Sequence, residues 1–202
     1  MRIFISTIIL LLFISFGFGQ WTGNKPIKGS LGKNIVQDAD GNLVFLNHTE
    51  KEIHDGTYYY IEGYTTLASD GDSFMVKLVT PDTDIHLHFS WDITSNGVLT
   101  SELWEGSSGG MTGGSGVTPL NSNRNSDNTS AVVITSGVSV ATSQGTRIAN
   151  KKVGGTAFKS TTGGSDASRN EVLLKRNTTY QRIFITGSDA NIVSFRAMWI
   201  EE

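Results

Sequence analysis

The stretch Ile85–Ile93 reads IHLHFSWDI and alternates strictly between apolar and polar side chains. Consecutive side chains of a β-strand point to opposite faces, so the five apolar residues share one face. The pattern predicts a strand with that face in a hydrophobic core and the other in solvent or against a partner. Ser95-Asn96-Gly97 follows as a turn signal, and Val98–Glu105 is a further strand pattern. We therefore predict a β-hairpin over residues 85–105.

Strand patterns with a period of two recur on both sides of this stretch. They cover Leu43–Leu46, Tyr58–Thr66, Phe74–Thr80, Ala131–Val140, Glu171–Lys175, Tyr180–Thr186 and Ile192–Ile200. The two segments around Arg176-Asn177-Thr178 predict a second hairpin. No segment keeps a period of 3.6 residues over three turns, so little helix is expected. These patterns predict an all-β fold, a single β-sandwich of about eight strands.

The sandwich is expected to be a jelly roll, because the Cys–Trp–Cys signature of immunoglobulin domains is absent and the loops are uneven in length. Three long loops are rich in Gly, Ser or Asn, namely Gly106–Gly116, Asn121–Ser130 and Gly154–Ser168. Segments this polar bury too little apolar surface to offset their ordering entropy alone. They are either mobile surface loops or loops that become ordered against a subunit or ligand, and the sequence leaves both readings open.

The N-terminus carries a separate hydrophobic segment. Residues 1–19 contain one basic residue, Arg2, followed by a largely apolar run that ends at Gly17-Phe18-Gly19. This predicts a hydrophobic helix that is either a signal peptide cleaved before Gln20 or a retained membrane anchor. The run is shorter than the roughly 20 apolar residues that a spanning helix needs, which favours cleavage. Residues 20–50 are expected to be a polar lead-in, and residues 51–202 to form the sandwich domain.

Charge and composition exclude several classes of function. The formal net charge is −3 and no run of Lys or Arg occurs, so nucleic-acid binding is not expected. The absence of cysteine excludes disulfide bonds, Cys-based zinc sites and thiol catalysis. The sequence contains neither a phosphate-binding glycine loop nor a nucleophile elbow. We predict a non-enzymatic protein without a cofactor.

His86 and His88 have the spacing closest to that of a metal site. Residues i and i+2 of a strand share a face, so the two imidazoles could bind one ion together with Asp92. Cupins place a similar His-x-His pair on a jelly-roll strand, but they use a Glu where this chain has Asp92, and the glycines that flank their motif are misplaced here. We predict that no metal binds. If one did, His86, His88 and Asp92 would be its ligands.

The aromatic residues offer a carbohydrate-binding reading beside that of core packing. Tyr59 and Trp104 are the candidates for a platform that stacks on sugar rings. Three tyrosines follow one another at 58–60, and they cannot all lie in the core because strand side chains alternate between faces. Either Tyr59, or Tyr58 together with Tyr60, is expected to face outward or toward a neighbour.

Several short segments between residues 51 and 202 form an ordered series. They are Ile53-His54-Asp55-Gly56, Val79-Thr80-Pro81-Asp82-Thr83, Leu103-Trp104-Glu105-Gly106, Val117-Thr118-Pro119, Asn123-Arg124-Asn125-Ser126, Arg169-Asn170-Glu171, Leu173-Leu174-Lys175 and Asn177-Thr178-Thr179-Tyr180. In this order and spacing the chain resembles a group of β-sandwich proteins encoded among the virion structural genes of tailed and other bacteriophages. That group comprises capsid decoration, head-fibre and similar accessory proteins.

The resemblance implies a virion structural protein that forms a homo-oligomer, such as a trimer, and binds other virion proteins. Asn123, Arg124 and Asn125 are then expected to contact a ligand or partner. The hydrophobic N-terminus departs from this group, and it fits either a spike in a virion that contains a membrane or a related module that a host exports. We therefore expect location in the virion, with residues 1–19 in contact with a membrane. The alternative is a secreted or cell-surface module that binds carbohydrate.

Overall fold

The computed structural model describes residues 47–154 and 171–202, together with the backbone of three short strands that precede them. The chain divides into two units, residues 1–48 and residues 49–202. In the first unit, β1 (Ile27–Lys28), β2 (Asn34–Gln37) and β3 (Leu43–Phe45) form an antiparallel sheet in that order. The strand predicted at Leu43–Leu46 is thereby confirmed. The hydrophobic segment 1–19 lies outside the described residues.

The second unit is built almost entirely from strands. Helix α1 is His48–Asp55, and the strands are β4 (Tyr58–Leu67), β5 (Ser73–Val79), β6 (Leu87–Ser95), β7 (Leu99–Glu105), β8 (Ser108–Gly110), β9 (Ser115–Val117), β10 (Leu120–Asn121), β11 (Val133–Ser136), β12 (Ala141–Ser143), β13 (Thr146–Val153), β14 (Val172–Leu174), β15 (Thr179–Thr186) and β16 (Asn191–Glu201). No helix among the described residues has the length and apolar character needed to cross a membrane. The eight-residue helix α1 was not predicted, because two turns are too few to show a helical period.

Two antiparallel sheets make the sandwich. The five-stranded sheet has the order β10-β4-β16-β6-β14, and the six-stranded sheet has the order β13-β7-β15-β5-β11-β9. Within them, β4-β16-β6-β14 and β5-β15-β7-β13 are two four-stranded sheets, and each step along these eight strands except that from β7 to β13 crosses from one sheet to the other. This is the strand order of a jelly roll, so the predicted all-β sandwich is confirmed.

Both predicted hairpins are wrong. Strand β6 pairs with β14 and β16, whereas β7 pairs with β13 and β15 in the opposite sheet. Likewise β14 pairs with β6, and β15 pairs with β5 and β7. The turns therefore carry the chain across the sandwich instead of returning it to the same sheet. Apolar alternation is identical in both cases, so the sequence pattern does not distinguish them.

Residues 106–145, here called the insertion, join β7 to β13 and are ordered by the rest of the domain. Strands β11 and β9 are added beside β5 and bring that sheet to six strands. Strand β10 pairs with β4, and β8 pairs with β12. Gln181 lies on the outer face of β15, where its Nε2 donates to Ser139 O at 2.9 Å and its Oε1 accepts from Ala141 N at 3.1 Å. The insertion therefore buries part of that outer face. The insertion is held by its own domain, an arrangement that neither of the two readings of the sequence included. The loop 154–168 lies outside the described residues, apart from Gly154.

The core between the sheets is rich in aromatic side chains. Trp199, with 1% of its surface exposed, stacks with Tyr59 at 6.2 Å and with Phe89 at 6.0 Å between ring centroids. The alternation predicted for β6 and β16 is confirmed, because the residues predicted on the apolar face of each strand, among them Val193, Phe195, Ala197 and Trp199 of β16, lie in the core or pack against it. Burial of large apolar side chains is the main stabilising term for such a sandwich.

Arg182 is an unexpected member of this core. It is 6% exposed, its Nε donates to Ser101 Oγ at 2.8 Å, and its guanidinium lies 5.5 Å from the ring centroid of Trp91. No carboxylate among the described residues forms a salt bridge with it. Burial lowers the pKa of Arg182 to about 10. The pKa of Arg182 is therefore lower in the folded state than in the unfolded state. The free-energy cost of burying its charge is present in full below pH ~10 and decreases as the pH rises above that value.

We expect the double substitution Arg182→Met and Ser101→Ala to raise the free energy of unfolding at pH 7 by about 1–2 kcal/mol. Methionine retains the apolar stem without a charge, and alanine avoids leaving the Ser101 hydroxyl unpaired. Urea denaturation followed by tryptophan fluorescence measures the change. The control is Arg147→Met, an exposed arginine, which should change stability by less than about 1 kcal/mol. A clear loss of stability in the double variant would contradict the expectation.

Candidate functional site

His86, His88 and Asp92 do not converge on one point. His86 is exposed and precedes β6, where its backbone exchanges hydrogen bonds with Glu202. His88 instead faces two carboxylates, with Nδ1 3.3 Å from Glu171 Oε1 and Nε2 3.6 Å from Glu202 Oε2. Asp92 is four residues further along the strand, which corresponds to roughly 13 Å. Asp92 is therefore not a co-ligand of His88, and the three residues do not form the cupin-like arrangement.

Tyr59 is not a surface platform. It is buried and stacks with Trp199 in the core, while Tyr58 and Tyr60 face outward. The structure therefore selects the second of the two arrangements predicted for the three tyrosines. The physical reason is register: Tyr59 is paired with Trp199 on β16, whose core face is fully apolar.

Trp104 lies half-buried on the outer face of the six-stranded sheet. Its Nε1 donates to Glu102 Oε2 at 2.9 Å, and the guanidinium of Arg147 lies 5.5 Å from its ring centroid. Arg147 also forms a salt bridge with Glu102 at 2.8 Å. One ring face is thus in contact with a cation, so this face of Trp104 is not open for stacking on a sugar.

Asn123 and its neighbours hold the C-terminus of α1. Asn123 Nδ2 donates to His54 O at 3.0 Å, and Asn128 Nδ2 donates to Asp55 O and Gly56 O at 3.3 Å each. Carbonyl groups at the end of a helix have no partner within the helix, so these amides satisfy them. Gly56 has a φ of +73°, and a Cβ there would lie 2.3 Å from Ser126 Oγ, so glycine is required.

The three residues predicted as partner contacts therefore differ in role. The side chain of Asn123 is used within the domain, since its Oδ1 also accepts from Asn125 N at 3.1 Å. Both of its polar groups have internal partners, so the structure gives this side chain a role within the domain, and its contact with a partner stays a prediction. Arg124 and Asn125 are exposed at the tip of the same loop and remain predicted contacts.

A second junction joins Val79–Thr83 to Asn177–Tyr180. Thr80 Oγ1 donates to Lys175 O at 2.7 Å and accepts from Thr178 N at 2.9 Å, while Asn177 N donates to Pro81 O at 2.9 Å. These bonds fix the turn that carries the chain from β14 to β15.

A third junction is formed by Glu105, Lys175 and Tyr180. Lys175 Nζ lies 2.6 Å from Glu105 Oε1, and Tyr180 Oη donates to Glu105 Oε2 at 3.0 Å. Burial raises the pKa of Tyr180 to about 12, and the hydrogen bond from Lys175 lowers the pKa of Glu105. The lower pKa of Glu105 comes from a contact that connects β7 to the turn before β15, whereas the higher pKa of Tyr180 comes chiefly from burial. The polar groups of this motif are thus satisfied within the fold.

A groove of about 360 Å³ crosses the outer face of the five-stranded sheet. We call it the outer groove, and its lining comprises the outward-facing side chains of Glu62, Tyr64, Asp92, Thr94, Ser194 and Arg196 together with Gly63 and the core residue Phe195. These residues come from β4, β6 and β16, where Arg196 is in register with both Glu62 and Asp92. Of these residues, only Asp92 was predicted from the sequence as a site residue, and there as a metal ligand. The sequence contained one relevant signal. In Tyr58–Thr66 and Ile192–Ile200, the polar residues of the groove alternate with residues of the core.

Comparisons with known proteins give little information about the chain. No family model and no curated protein matches it. It is similar at 10% identity to the T=1 particles derived from infectious bursal virus, over 89% of this chain and 46% of that chain, with a TM-score of 0.12. The subviral particle of infectious bursal disease virus is 13% identical over 89% of this chain and 48% of that chain, with a TM-score of 0.11. The chain spans about half the length of both, and such TM-scores do not establish a shared fold.

Proposed function

We propose that the chain is a non-enzymatic structural protein of a bacteriophage virion, an accessory, decoration or spike-like protein of the capsid. The observation that carries the proposal is that the short motifs on which the resemblance rests contact one another within the fold. Ile53–Gly56 meets Asn123–Ser126, Val79–Thr83 meets Asn177–Tyr180, and Glu105 meets Lys175 and Tyr180. Each of these contacts joins two corners of the jelly roll, which supports a structural role for the motifs on which the resemblance rests.

The insertion provides the surface for docking on the virion. Three large apolar side chains within it are exposed, Leu120 at 38%, Val133 at 60% and Val140 at 46%. Arg124 projects from the loop that follows β10, and that loop is held by hydrogen bonds to α1. Exposed apolar side chains and arginine are common at protein interfaces, and residues that the fold already holds in place lose little ordering entropy on binding. We propose other virion proteins and further copies of this chain, such as a trimer, as its partners.

Mass spectrometry of purified virus particles, host membranes and culture supernatant tests this function. We expect the chain in the particles, and its first residue distinguishes an anchor from a cleaved signal. A start at Met1 indicates membrane anchoring, and a start at Gln20 indicates cleavage. If the protein is absent from particles and present in the supernatant or on the cell surface, the virion proposal fails and the carbohydrate-binding alternative gains support.

A substitution pair tests the docking surface itself. Val133→Asp should strongly reduce incorporation into particles without a change in thermal stability, because the side chain is exposed and a buried unpaired charge disfavours association. Ile192→Asp is the matched control, since Ile192 is also exposed, at 48%, but lies on the outer face of the other sheet. Equal incorporation of both variants would show that the insertion is not the docking surface.

A further inference from the structure

The outer groove contains hydrogen-bonding groups that the described part of the chain leaves without partners. Asp92 Oδ1 is buried and has no hydrogen-bond partner there, although buried acceptors normally have one. Arg196 lies next to Asp92 on the adjacent strand and forms no hydrogen bond with any described residue. Its guanidinium lies 4.4 Å from the ring centroid of Tyr60, which holds it flat against the sheet. A carboxylate and a guanidinium thus stand side by side on adjacent strands without a hydrogen bond between them.

An exposed aromatic ring borders these charges. Tyr64 is 79% exposed, an unusual degree for a tyrosine on a central strand pair, and it lines the groove together with Glu62. Aromatic side chains placed beside convergent polar groups are typical of small-ligand sites. The ring offers an apolar face for stacking, and its hydroxyl adds a donor and an acceptor.

The chemistry of the groove favours a neutral polyhydroxylated ligand. Asp92 and Glu62 accept hydrogen bonds from hydroxyl groups, Arg196 donates to ring or hydroxyl oxygens, and Thr94 and Ser194 can do either. The formal charge of these residues is −1, from two carboxylates and one guanidinium, which disfavours phosphates and acidic sugars. A volume of about 360 Å³ lies at the small end of the range for ligand pockets and suits a short oligosaccharide.

We propose that the outer groove binds a neutral saccharide, with Tyr64 stacking on a ring face and with Asp92 and Arg196 binding its hydroxyl groups. On a virion such a site would attach the particle to surface glycans. The proposal does not depend on that location, because the same groove would serve a secreted or cell-surface protein. The groove also lies on the five-stranded sheet, whereas Val133 of the proposed docking surface lies on the six-stranded sheet.

A glycan array that carries neutral, amino-sugar and sialylated glycans tests the proposal with the purified chain. We expect binding to neutral glycans. Isothermal titration with the best neutral oligosaccharide should then show about tenfold weaker binding for Tyr64→Ala and for Asp92→Asn. Asp92→Asn should bind less tightly while its thermal midpoint stays equal or rises, because the substitution removes the negative charge of a carboxylate that has a buried oxygen without a partner. If Asp92 had a purely structural role, the substitution would not weaken saccharide binding while leaving the thermal midpoint unchanged or higher.

Two controls place the site. Val133→Ala removes an exposed side chain on the other sheet and should leave saccharide binding unchanged. Trp104→Ala should also retain binding, which separates the outer groove from the aromatic site predicted from the sequence. An array without neutral-glycan binding, or binding that survives both Tyr64→Ala and Asp92→Asn, would overturn the proposal. Either result leaves the virion proposal untouched, because that proposal is tested by the content of the particles.

Discussion

Replacing Trp199 with alanine should lower the free energy of unfolding by about 3–5 kcal/mol, one of the two largest effects expected for this protein. The indole is 1% exposed and contacts rings from two neighbouring strands, Tyr59 on β4 and Phe89 on β6. Truncation removes this apolar burial and leaves a cavity that surrounding strands cannot close. Urea denaturation at pH 7, followed by circular dichroism, measures the loss.

Trp199→Phe separates the hydrogen bonds of the indole from its packing. Nε1 lies 3.0 Å from Glu201 Oε1 and 3.2 Å from Ser130 Oγ, and Ser130 precedes β11 in the insertion. Phenylalanine retains most of the apolar contact, so a loss of about 1–2 kcal/mol is expected. Tyr64→Ala is the matched control for an exposed aromatic residue, with a change within about 0.5 kcal/mol. Comparable losses in the free energy of unfolding for Trp199→Ala and Tyr64→Ala would contradict the expectation that the first ring is buried and the second exposed.

Asn191→Ala should cost about 3 kcal/mol, an effect that comes from hydrogen bonds rather than apolar burial. The side chain is 1% exposed and uses both of its polar atoms. Its Oδ1 accepts from Ser95 Oγ at 2.7 Å and Gly97 N at 3.0 Å, and its Nδ2 donates to Val98 O and Thr186 Oγ1 at 3.0 Å each. It thus ties the turn between β6 and β7 to the turn before β16. Alanine leaves these partners buried without a replacement.

Asn125→Ala provides the control for Asn191→Ala. Asn125 is exposed, so its truncation should change stability by no more than about 0.5 kcal/mol. Hydrogen exchange adds a local readout, because loss of the Asn191 contacts should raise exchange at the Gly97 amide before global unfolding. A stability loss below about 1 kcal/mol for Asn191→Ala would indicate that water replaces the side chain at this junction.

Much of the candidate site was within reach of the sequence, but its assembly was not. Alternate residues of a strand share a face, so the pattern of Tyr58–Thr66 already placed Tyr60, Glu62 and Tyr64 on one face. It left open whether that face was the outer one. Arg196 was likewise opposite the core residues of β16. Their convergence with Asp92 required the order β4-β16-β6, in which strands far apart in the sequence are neighbours. A period-two pattern contains no information about which strands pair.

The sequence by itself determined the fold class, most strand positions and the faces that they bury. Alternation is a local property, so it survived in β6 and β16 whatever their neighbours were. Only the tertiary structure decided that successive strands cross between sheets, that Arg182 lies in the core, and that the Asn-rich loop caps α1. Each of these depends on contacts between residues far apart in the chain, where the free energy of a buried or paired group outweighs its local preference.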